Sequence, residues 1–381
     1  MKHRLFSEHR HSGCIGLFCV LALLSGCQSF TSVKSSLPAP VATHEFAFDP
    51  ERDDVVGTVQ IIKAHEEDTF SDIARRFNLG FEEMVSANPG VSPWVPRAGT
   101  EIVIPTQFVL PDAPRTGIVI NLAAMRLFYF PPAQPGELQK VITHPLGIGR
   151  VEWKTPVGTT KVVSKTEAPS WIPTPSIRKE HAAEGDPLPA VVPPGPDNPM
   201  GTHVLRLGWT NYAIHGTNKP PSIGLRGTHG CLRMYPEDIV RIYSEVPVGV
   251  PVRVVNQPTL FGWRGDALYG QAYPVLEDDK RNQAVLQKKA LSAALKSQKA
   301  TLDLRPQRVI NQTVLDTVTQ TPRAIAIPLT QPDLTVPAYL ARATRVENRL
   351  PLNSTWLGDD SGRGNTTIDA QIQPDDTVKR F

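Results

Sequence analysis

Apolar positions along the chain change their period several times, and each change marks a different kind of element. Val59-Gln60-Ile61-Ile62 is a short β-branched run that reads as a strand. Thr69, followed three residues later by Asp72, resembles a capping box. Phe70, Ile73, Ala74 and Phe77 then recur at helical spacing, and Phe81, Met84 and Val85 predict a second short helix that Asn88-Pro89-Gly90 ends. Glu101-Ile102-Val103-Ile104-Pro105 returns to a strand. Beyond Gly117 strands dominate. Residues 118–122 and 126–130 form a hairpin pattern, 141–145 and 158–164 continue it, and Thr155-Pro156-Val157-Gly158 is a turn between them. Residues 169–199 are aperiodic and dense in proline, which predicts a long loop. Residues 204–207 and 212–214 are strands. A helix starts at Pro236-Glu237-Asp238 with Ile239, Val240 and Tyr243 inward, and 250–255 is a further strand.

The pattern fades after that. Residues 258–274 carry Phe261, Trp263, Tyr269 and Tyr273 and predict a small appendage on the preceding domain. Residues 276–300 read as a charged amphipathic helix, so 256–300 is taken as appendage and helix. Residues 301–381 are polar, poor in aromatics and aperiodic, which predicts a disordered tail.

The first residues differ from everything that follows. Lys2, Arg4 and Arg10 precede an apolar stretch, 14–24, that is too short to span a bilayer as a helix but fits a secretory signal. Leu24-Ser25-Gly26-Cys27 resembles a bacterial lipobox, which implies removal of residues 1–26 and lipidation of Cys27. Gln28 stands where aspartate would mark retention at the inner membrane, so the resemblance implies a periplasmic protein anchored to the outer membrane of a Gram-negative cell. Residues 27–57, small and proline-rich at first, read as a tether.

Charge narrows the classes. The chain has 40 basic and 37 acidic residues; without residues 1–26, which hold Lys2, Arg4, Arg10 and Glu8, it has 37 and 36. So balanced a chain has no electrostatic footprint for nucleic acid. No phosphate-cradling glycine loop or paired-cysteine metal motif occurs, and neither a metal nor an organic cofactor is expected.

Cysteine usage directs attention to one place. Of Cys14, Cys19, Cys27 and Cys231, only the last lies beyond the leader. A lone thiol in an exported chain is either inert and buried or reactive. Its surroundings are Ile214-His215-Gly216-Thr217 and, sixteen positions after His215, Cys231 itself within Gly227-Thr228-His229-Gly230-Cys231-Leu232-Arg233-Met234. A thiolate attacks carbonyls, an imidazole takes and returns its proton, and a glycine before the nucleophile leaves backbone N–H exposed to an oxyanion.

Two resemblances follow. Asp68-Thr69, Ile73-Ala74, Asn88-Pro89 and Ile102-Val103-Ile104-Pro105 give residues 58–105 the strand–helix–helix–strand pattern of LysM modules, which bind N-acetylglucosamine-containing glycans. Glu67 replaces the usual glycine and the first strand lacks its tyrosine, so a spacer that has lost sugar binding is the alternative. Residues 115–255 resemble the catalytic domain of YkuD/ErfK-type L,D-transpeptidases, on His215-Gly216-Thr217-Asn218 and Thr228-His229-Gly230-Cys231-Leu232-Arg233. The fold implied is mainly β: a β-sandwich catalytic domain, a small α+β LysM-like βααβ domain, and a disordered or helical C-terminal tail.

That resemblance implies roles. Cys231 is the nucleophile, His215 the proton acceptor and donor, and the N–H groups of Gly230 and Cys231 the oxyanion hole. Thr228 and His229 shape the nucleophile loop. Arg233, with Gly216 and Thr217, contacts substrate; Arg233 pairing instead with Glu237 or Asp238, and Gly216 simply allowing tight strand packing, are the structural alternatives. The 169–199 loop would be a lid, with Trp171 as apolar cover and Arg178 and Lys179 for stem carboxylates. His144, His181 and His203 match no catalytic position. The implied substrates are peptidoglycan stem peptides and glycan, with an outer-membrane lipoprotein as a further acyl acceptor and the lipid on Cys27 as membrane contact. An L,D-carboxypeptidase or amide hydrolase on the same substrates, and a non-catalytic wall-binding lipoprotein, are the alternatives.

Overall fold

A computed structural model of the chain describes residues 44–133, 136–297 and 309–349. The leader, Cys27 and the first part of the expected tether lie outside them. The rest of that tether is structured. Strand β1 (Glu45–Phe48) pairs antiparallel with a strand of the large sheet, and β2 (Val55–Gly57) pairs with β5, given below. Phe48 is buried, and apolar side chains at this spacing have more to gain from packing than from solvation.

The N-terminal module follows its sequence pattern closely. Strand β3 (Gln60–Lys63) pairs antiparallel with β4 (Glu101–Ile104), and helices α1 (Phe70–Arg76) and α2 (Phe81–Ala87) lie between them in the chain. The capping box forms: Asp72 N–H donates to Thr69 Oγ1 (3.2 Å) and Thr69 N–H to Asp72 Oδ2 (2.9 Å). Phe70, Ile73, Ala74 and Met84 are fully buried. Strand β5 (Gln107–Val109) closes the unit against β2.

The mainly-β domain comprises β6 (Gly117–Asn121), β7 (Arg126–Phe130), β8 (Gln139–Pro145), β9 (Ile148–Gly149), β10 (Gly158–Glu167), α3 (Pro175–Ala183), β11 (His203–Leu207), β12 (Ala213–His215), β13 (Arg226–Thr228), β14 (Leu232–Arg233), α4 (Pro236–Glu245) and β15 (Pro251–Val255). The sheet order is β1-β8-β7-β6-β15-β10-β11-β12-β14. The long β10 joins its two halves. Residues 158–161 pair with β15, a bulge falls between Val162 and Ser164, and the remainder pairs with β11. One core then draws on both halves, Ile118 and Ile120 from one and Leu205 and Ile214 from the other.

Two local expectations change here. The 169–199 segment is not all loop, because Thr174 Oγ1 accepts Ile177 N–H and Pro175 at the first helical position starts α3. On α4 the inward residues are Ile239, Ile242 and, just past its end, Val246. Val240 is 45% exposed, because its position turns it off the buried stripe.

The C-terminal segment departs most from its pattern. Strands β16 (Thr259–Arg264) and β17 (Ala267–Ala272) make a hairpin, and α5 (Gln283–Lys296), capped by Asn282, begins later than the 276–300 reading placed it. Residues 309–349 are folded, which corrects the disordered tail for that stretch: α6 (Gln312–Gln320), β18 (Ile327–Pro328), α7 (Val336–Ala341) and β19 (Thr344–Arg345). Val314, Leu315 and Val318 of α6 share an apolar cluster with Trp263 and Leu268 of the hairpin and with Val59 and Ala87 of the N-terminal module. The hairpin also meets the mainly-β domain, where Leu260 and Tyr273 share a cluster with Ala123 and Ala124. β19 adds a parallel strand beside β3. Just beyond it, Asn348 donates to Asp68 Oδ2 (2.8 Å) and Lys63 O (3.0 Å) and accepts from Arg76.

Module and mainly-β domain meet through buried charge. Arg75 of α1 grips Glu237 of α4 with two bonds, Nε–Oε1 3.0 Å and Nη2–Oε2 3.1 Å. Arg126, with no exposed side-chain surface, pairs with Glu83 at 2.6 Å and donates to Asn78 O at 3.2 Å. Asn78 Nδ2 donates to Asp238 (2.6 Å), whose Oδ1 lies 3.0 Å from His144 Nδ1, and Tyr235 Oη–H donates to Leu79 O (3.0 Å). A Cβ on Gly224 would stand 2.2 Å from Phe81 N, so only glycine lets the two backbones approach this closely.

Candidate active site

His215 ends β12, and Cys231 immediately precedes β14, the parallel neighbour of β12. In register, Ile214 faces Leu232 and His215 faces Arg233. Alternation along a strand puts residues two apart on one face, so Ala213, His215, Cys231 and Arg233 point the same way. Cys231 and His215 are diagonal neighbours, a relation that separates backbones by about 7–8 Å and brings side chains within reach.

The thiol is partly exposed and donates to Asn211 O at 3.4 Å. Burial raises its pKa above the ordinary thiol value; the Ala213 amide and the charges of Arg233 and Arg206 oppose this without cancelling it. His215 is 4% exposed. Burial, helped by the Arg233 charge, lowers its pKa to about 3, while the carbonyls of Gly216 and Met200 work the other way. Its Nδ1 lies 2.6 Å from Gly216 O. A carbonyl only accepts, so Nδ1 carries the hydrogen and Nε2 keeps the basic lone pair. The resting pair is therefore thiol and neutral imidazole, not an ion pair.

The nucleophile loop is held by its own residues. Thr228 Oγ1 donates to Cys231 O (2.6 Å) and accepts from Gly230 N–H (3.1 Å). The Gly230 N–H is thus engaged by the Thr228 hydroxyl in this arrangement. Gly230 sits at φ +99°, and a Cβ there would meet Tyr212 Cε1 at 2.9 Å. Gly216 and Thr217 also differ from expectation. Both are buried; Gly216 packs against Ile239 and its carbonyl orients His215, while Thr217 Oγ1 accepts Lys219 N–H (2.9 Å). Arg233 makes no pair with Glu237 or Asp238, which are taken by Arg75, Asn78 and His144. Its Nε is buried without an acceptor among the described residues, and burial lowers its pKa. A buried guanidinium of this kind suits an incoming carboxylate.

The 169–199 segment covers this face. Trp171 packs with Met200, Val204, Ala213 and Cys231 in one small apolar cluster. Its backbone pairs with Val192 in both directions, N–O 2.9 and 2.8 Å. Arg178 and Lys179 lie on α3, Lys179 exposed. Sequence reading missed Arg150 and Glu180, which surround His229. His229 Nε2 is 2.9 Å from Arg150 Nη2 and 3.2 Å from Glu180 Oε2, and its ring meets Trp153 edge-on at 5.2 Å. His181, which matches no catalytic position in the sequence, lies 6.0 Å from the same ring. No motif marks these contacts; the Thr174-Pro175 start of α3 was the available signal. The His203 ring lies tilted against that of Tyr243, centroids 4.5 Å apart, and His144 sits at the module interface, both away from the thiol's contacts.

Comparison with known proteins agrees with this geometry. Residues 115–254 match the YkuD family, described as an L,D-transpeptidase catalytic domain, and residues 65–105 match the LysM domain. Among similar proteins is the "Probable L,D-transpeptidase ErfK/SrfK" of Escherichia coli (strain K12), 39% identical over 250 residues, which cover 65% of this chain and 76% of that one. The "Probable L,D-transpeptidase YbiS" of the same strain is 44% identical over 232 residues, covering 60% and 72%. The "Probable L,D-transpeptidase YcfS" is 46% identical over 190 residues, covering 49% and 58%.

Proposed function

Since this chain belongs to the L,D-transpeptidase family, we propose that Cys231 and His215 carry out its acyl transfer on peptidoglycan stem peptides. The observation that carries the reading is the placement of the two side chains on one face of adjacent parallel strands, under the Trp171 cluster.

The donor is a tetrapeptide stem, attacked at the carbonyl of its third residue, with meso-diaminopimelate as the expected residue there. As the Cys231 sulfur bonds to that carbon, its proton passes to His215 Nε2 and the developing oxyanion faces the Cys231 N–H. The C–N bond to D-alanine then breaks, and the imidazolium returns its proton to the leaving amine. Burial makes that imidazolium a strong acid, so it gives up the proton readily. The same burial makes His215 a weak base at rest, and Arg233 contributes to this. A stem carboxylate paired with Arg233 offsets that charge, so the base strengthens when substrate is present. An acceptor amine attacks the thioester, forms the amide and regenerates the thiol.

For the acceptor, the reading covers an amine of a second stem, giving a crosslink, and the lysine of an outer-membrane lipoprotein, giving a tether between membrane and wall. Leu24-Ser25-Gly26-Cys27 supports a lipid-anchored location in the periplasm, with the anchor on Cys27. Glycan binding by the LysM domain would keep the enzyme at its substrate.

The test is mass spectrometry of tetrapeptide muropeptides incubated with the enzyme, with and without a lysine-bearing lipoprotein peptide. Crosslinked or peptide-linked products support transfer. Free tripeptide alone, at every acceptor concentration, would establish a hydrolase.

A further inference from the structure

The segment over the thiol is tied down unequally. Its neck is cinched by the Trp171–Val192 backbone pair and by Asn198, whose Nδ2 donates to Pro169 O (2.7 Å) and Pro193 O (3.1 Å). Its tip is α3, which buries only Ile177. What binds the tip to the nucleophile loop is Glu180, which pairs with Arg150 through one carboxylate oxygen and reaches His229 through the other at 3.2 Å. Arg150 is itself fixed to that loop, its N–H donating to Thr228 O at 3.0 Å, and its Nη2 lies 2.9 Å from His229 Nε2. Lid, nucleophile loop and the strand end at Gly149 therefore converge on one carboxylate, three positions of chain from Ile177 and two residues of chain from Cys231 by way of His229.

We infer that Glu180 is the latch of this lid, a positioning residue that closes α3 over the acyl-thioester and so sets how the thioester divides between water and the acceptor amine. This rests on the transferase reading above. The placement fits the task. A thioester open to bulk water is lost to hydrolysis, so a transferase has to keep water off it until the amine arrives. A lid welded shut would exclude the acceptor as well. Glu180 and Arg150 keep 26% and 33% of their side-chain surface exposed. Ion pairs of that exposure are weak enough to open and reclose within a turnover, whereas the neck, held by backbone bonds and the buried Asn198, stays in place. Glu180 bonds the His229 ring but has no bond to the Cys231 sulfur or the His215 imidazole, the two groups that act in the first half-reaction.

The experiment uses the complete chain and three variants: Glu180→Ala, Glu180→Arg and the exchanged pair Arg150→Glu/Glu180→Arg. Hydrogen exchange of residues 175–183, D-alanine release and the hydrolysis-to-transfer ratio at fixed acceptor are read on each. Both single variants should exchange about three- to tenfold faster in α3 and raise the ratio by about as much, the range expected when a charge-assisted contact is lost. D-alanine release should stay within about twofold. The exchanged pair should bring exchange and ratio back toward the parent, which a general loosening of structure would not do. Unchanged exchange, or faster exchange with an unchanged ratio, overturns the latch, as does a D-alanine release that falls in step with transfer. If the parent itself gives hydrolysis only, the transferase reading fails and the partition with it; that case is recognised in the parent, before any variant is compared.

Discussion

Arg75, in the first helix of the LysM domain, holds Glu237 of the catalytic domain through two bonds, Nε–Oε1 3.0 Å and Nη2–Oε2 3.1 Å, six positions beyond Cys231, the proposed nucleophile. Glu237, Asp238 and Tyr235 form the start of α4, the helix that follows Cys231-Leu232-Arg233-Met234, and each is bonded to the LysM domain. The LysM domain is part of the footing of the loop that carries Cys231.

Domain deletion should therefore behave differently from what independent modules would give. Removing residues 58–105 strips partners from Arg126, Glu237 and Asp238 together. The expected outcome is loss of D-alanine release along with sacculus binding, and a large fall in thermal stability. A milder probe is Arg75→Met, which strands the Glu237 carboxylate and should cost about 3 kcal/mol in denaturant unfolding. Arg75→Met/Glu237→Leu should recover most of it. A deletion that keeps full activity on soluble muropeptides would show that the interface is dispensable.

The thiol–imidazole pair gives a pH prediction. The pKa of His215 is lowered from 6.5 to about 3 on folding. Between those values the unfolded chain binds a proton there that the folded chain refuses, so the contribution of this residue to stability falls as the pH drops through that window. Unfolding free energy measured from pH 7 to pH 4 should decline less steeply in His215→Gln than in the parent. Parallel slopes would mean that the imidazole is not held neutral. On the alkaline side, burial raises the Cys231 pKa, so alkylation of the resting enzyme by iodoacetamide should climb only above the ordinary thiol range.

The C-terminal segment yields a stability prediction. Asn348 is 6% exposed and satisfies the buried Arg76–Asp68 pair and Lys63 O of the LysM domain. Asn348→Ala leaves buried polar atoms without partners and should cost about 1–3 kcal/mol. The readout is chemical unfolding followed by Trp94, the tryptophan that packs on Phe81 of α2. An unchanged midpoint would place this segment off the domain in solution.

The nucleophile loop tolerates no side chain at Gly230. With φ at +99° and Tyr212 2.9 Å from a Cβ, Gly230→Ala should slow acylation by at least about tenfold while the chain stays folded, because the strain falls on the Thr228–Cys231 turn. Acylation at the parental rate would show that the loop relaxes freely.

The parts legible in the sequence share one property: their signals are local. His215, Thr228, Gly230 and Cys231 occur in two short runs, and the LysM helices announce themselves through Thr69, Asp72 and the period of Phe70, Ile73 and Ala74. What the sequence hid is made of distant partners. Arg75 and Glu237 are 162 positions apart, and each alone looks like an ordinary helix-surface charge. Glu180 and His229 are 49 apart, and Glu180 lies in a stretch whose prolines mask α3. Residues 309–349 looked disordered because their elements are short and borrow an apolar partner, as α6 borrows Trp263, rather than carrying a long period of their own. Gly216 and Thr217 stand beside His215 in the motif, and adjacency alone could not tell residues that build the site from residues that line it.

The proposed acyl transfer puts the stem peptide on Cys231 as a thioester while His215 manages the proton. Its most direct measurement is the intact mass of the enzyme, quenched in acid during turnover of a tetrapeptide muropeptide, followed by peptide mapping. The expected result is a mass increase equal to the tripeptide-bearing fragment, located on Cys231, with an equal amount of D-alanine released. Neither should occur in Cys231→Ala, and both should appear more slowly in His215→Gln. D-alanine release by a folded Cys231→Ala variant, or a covalent adduct on any other residue, would contradict it.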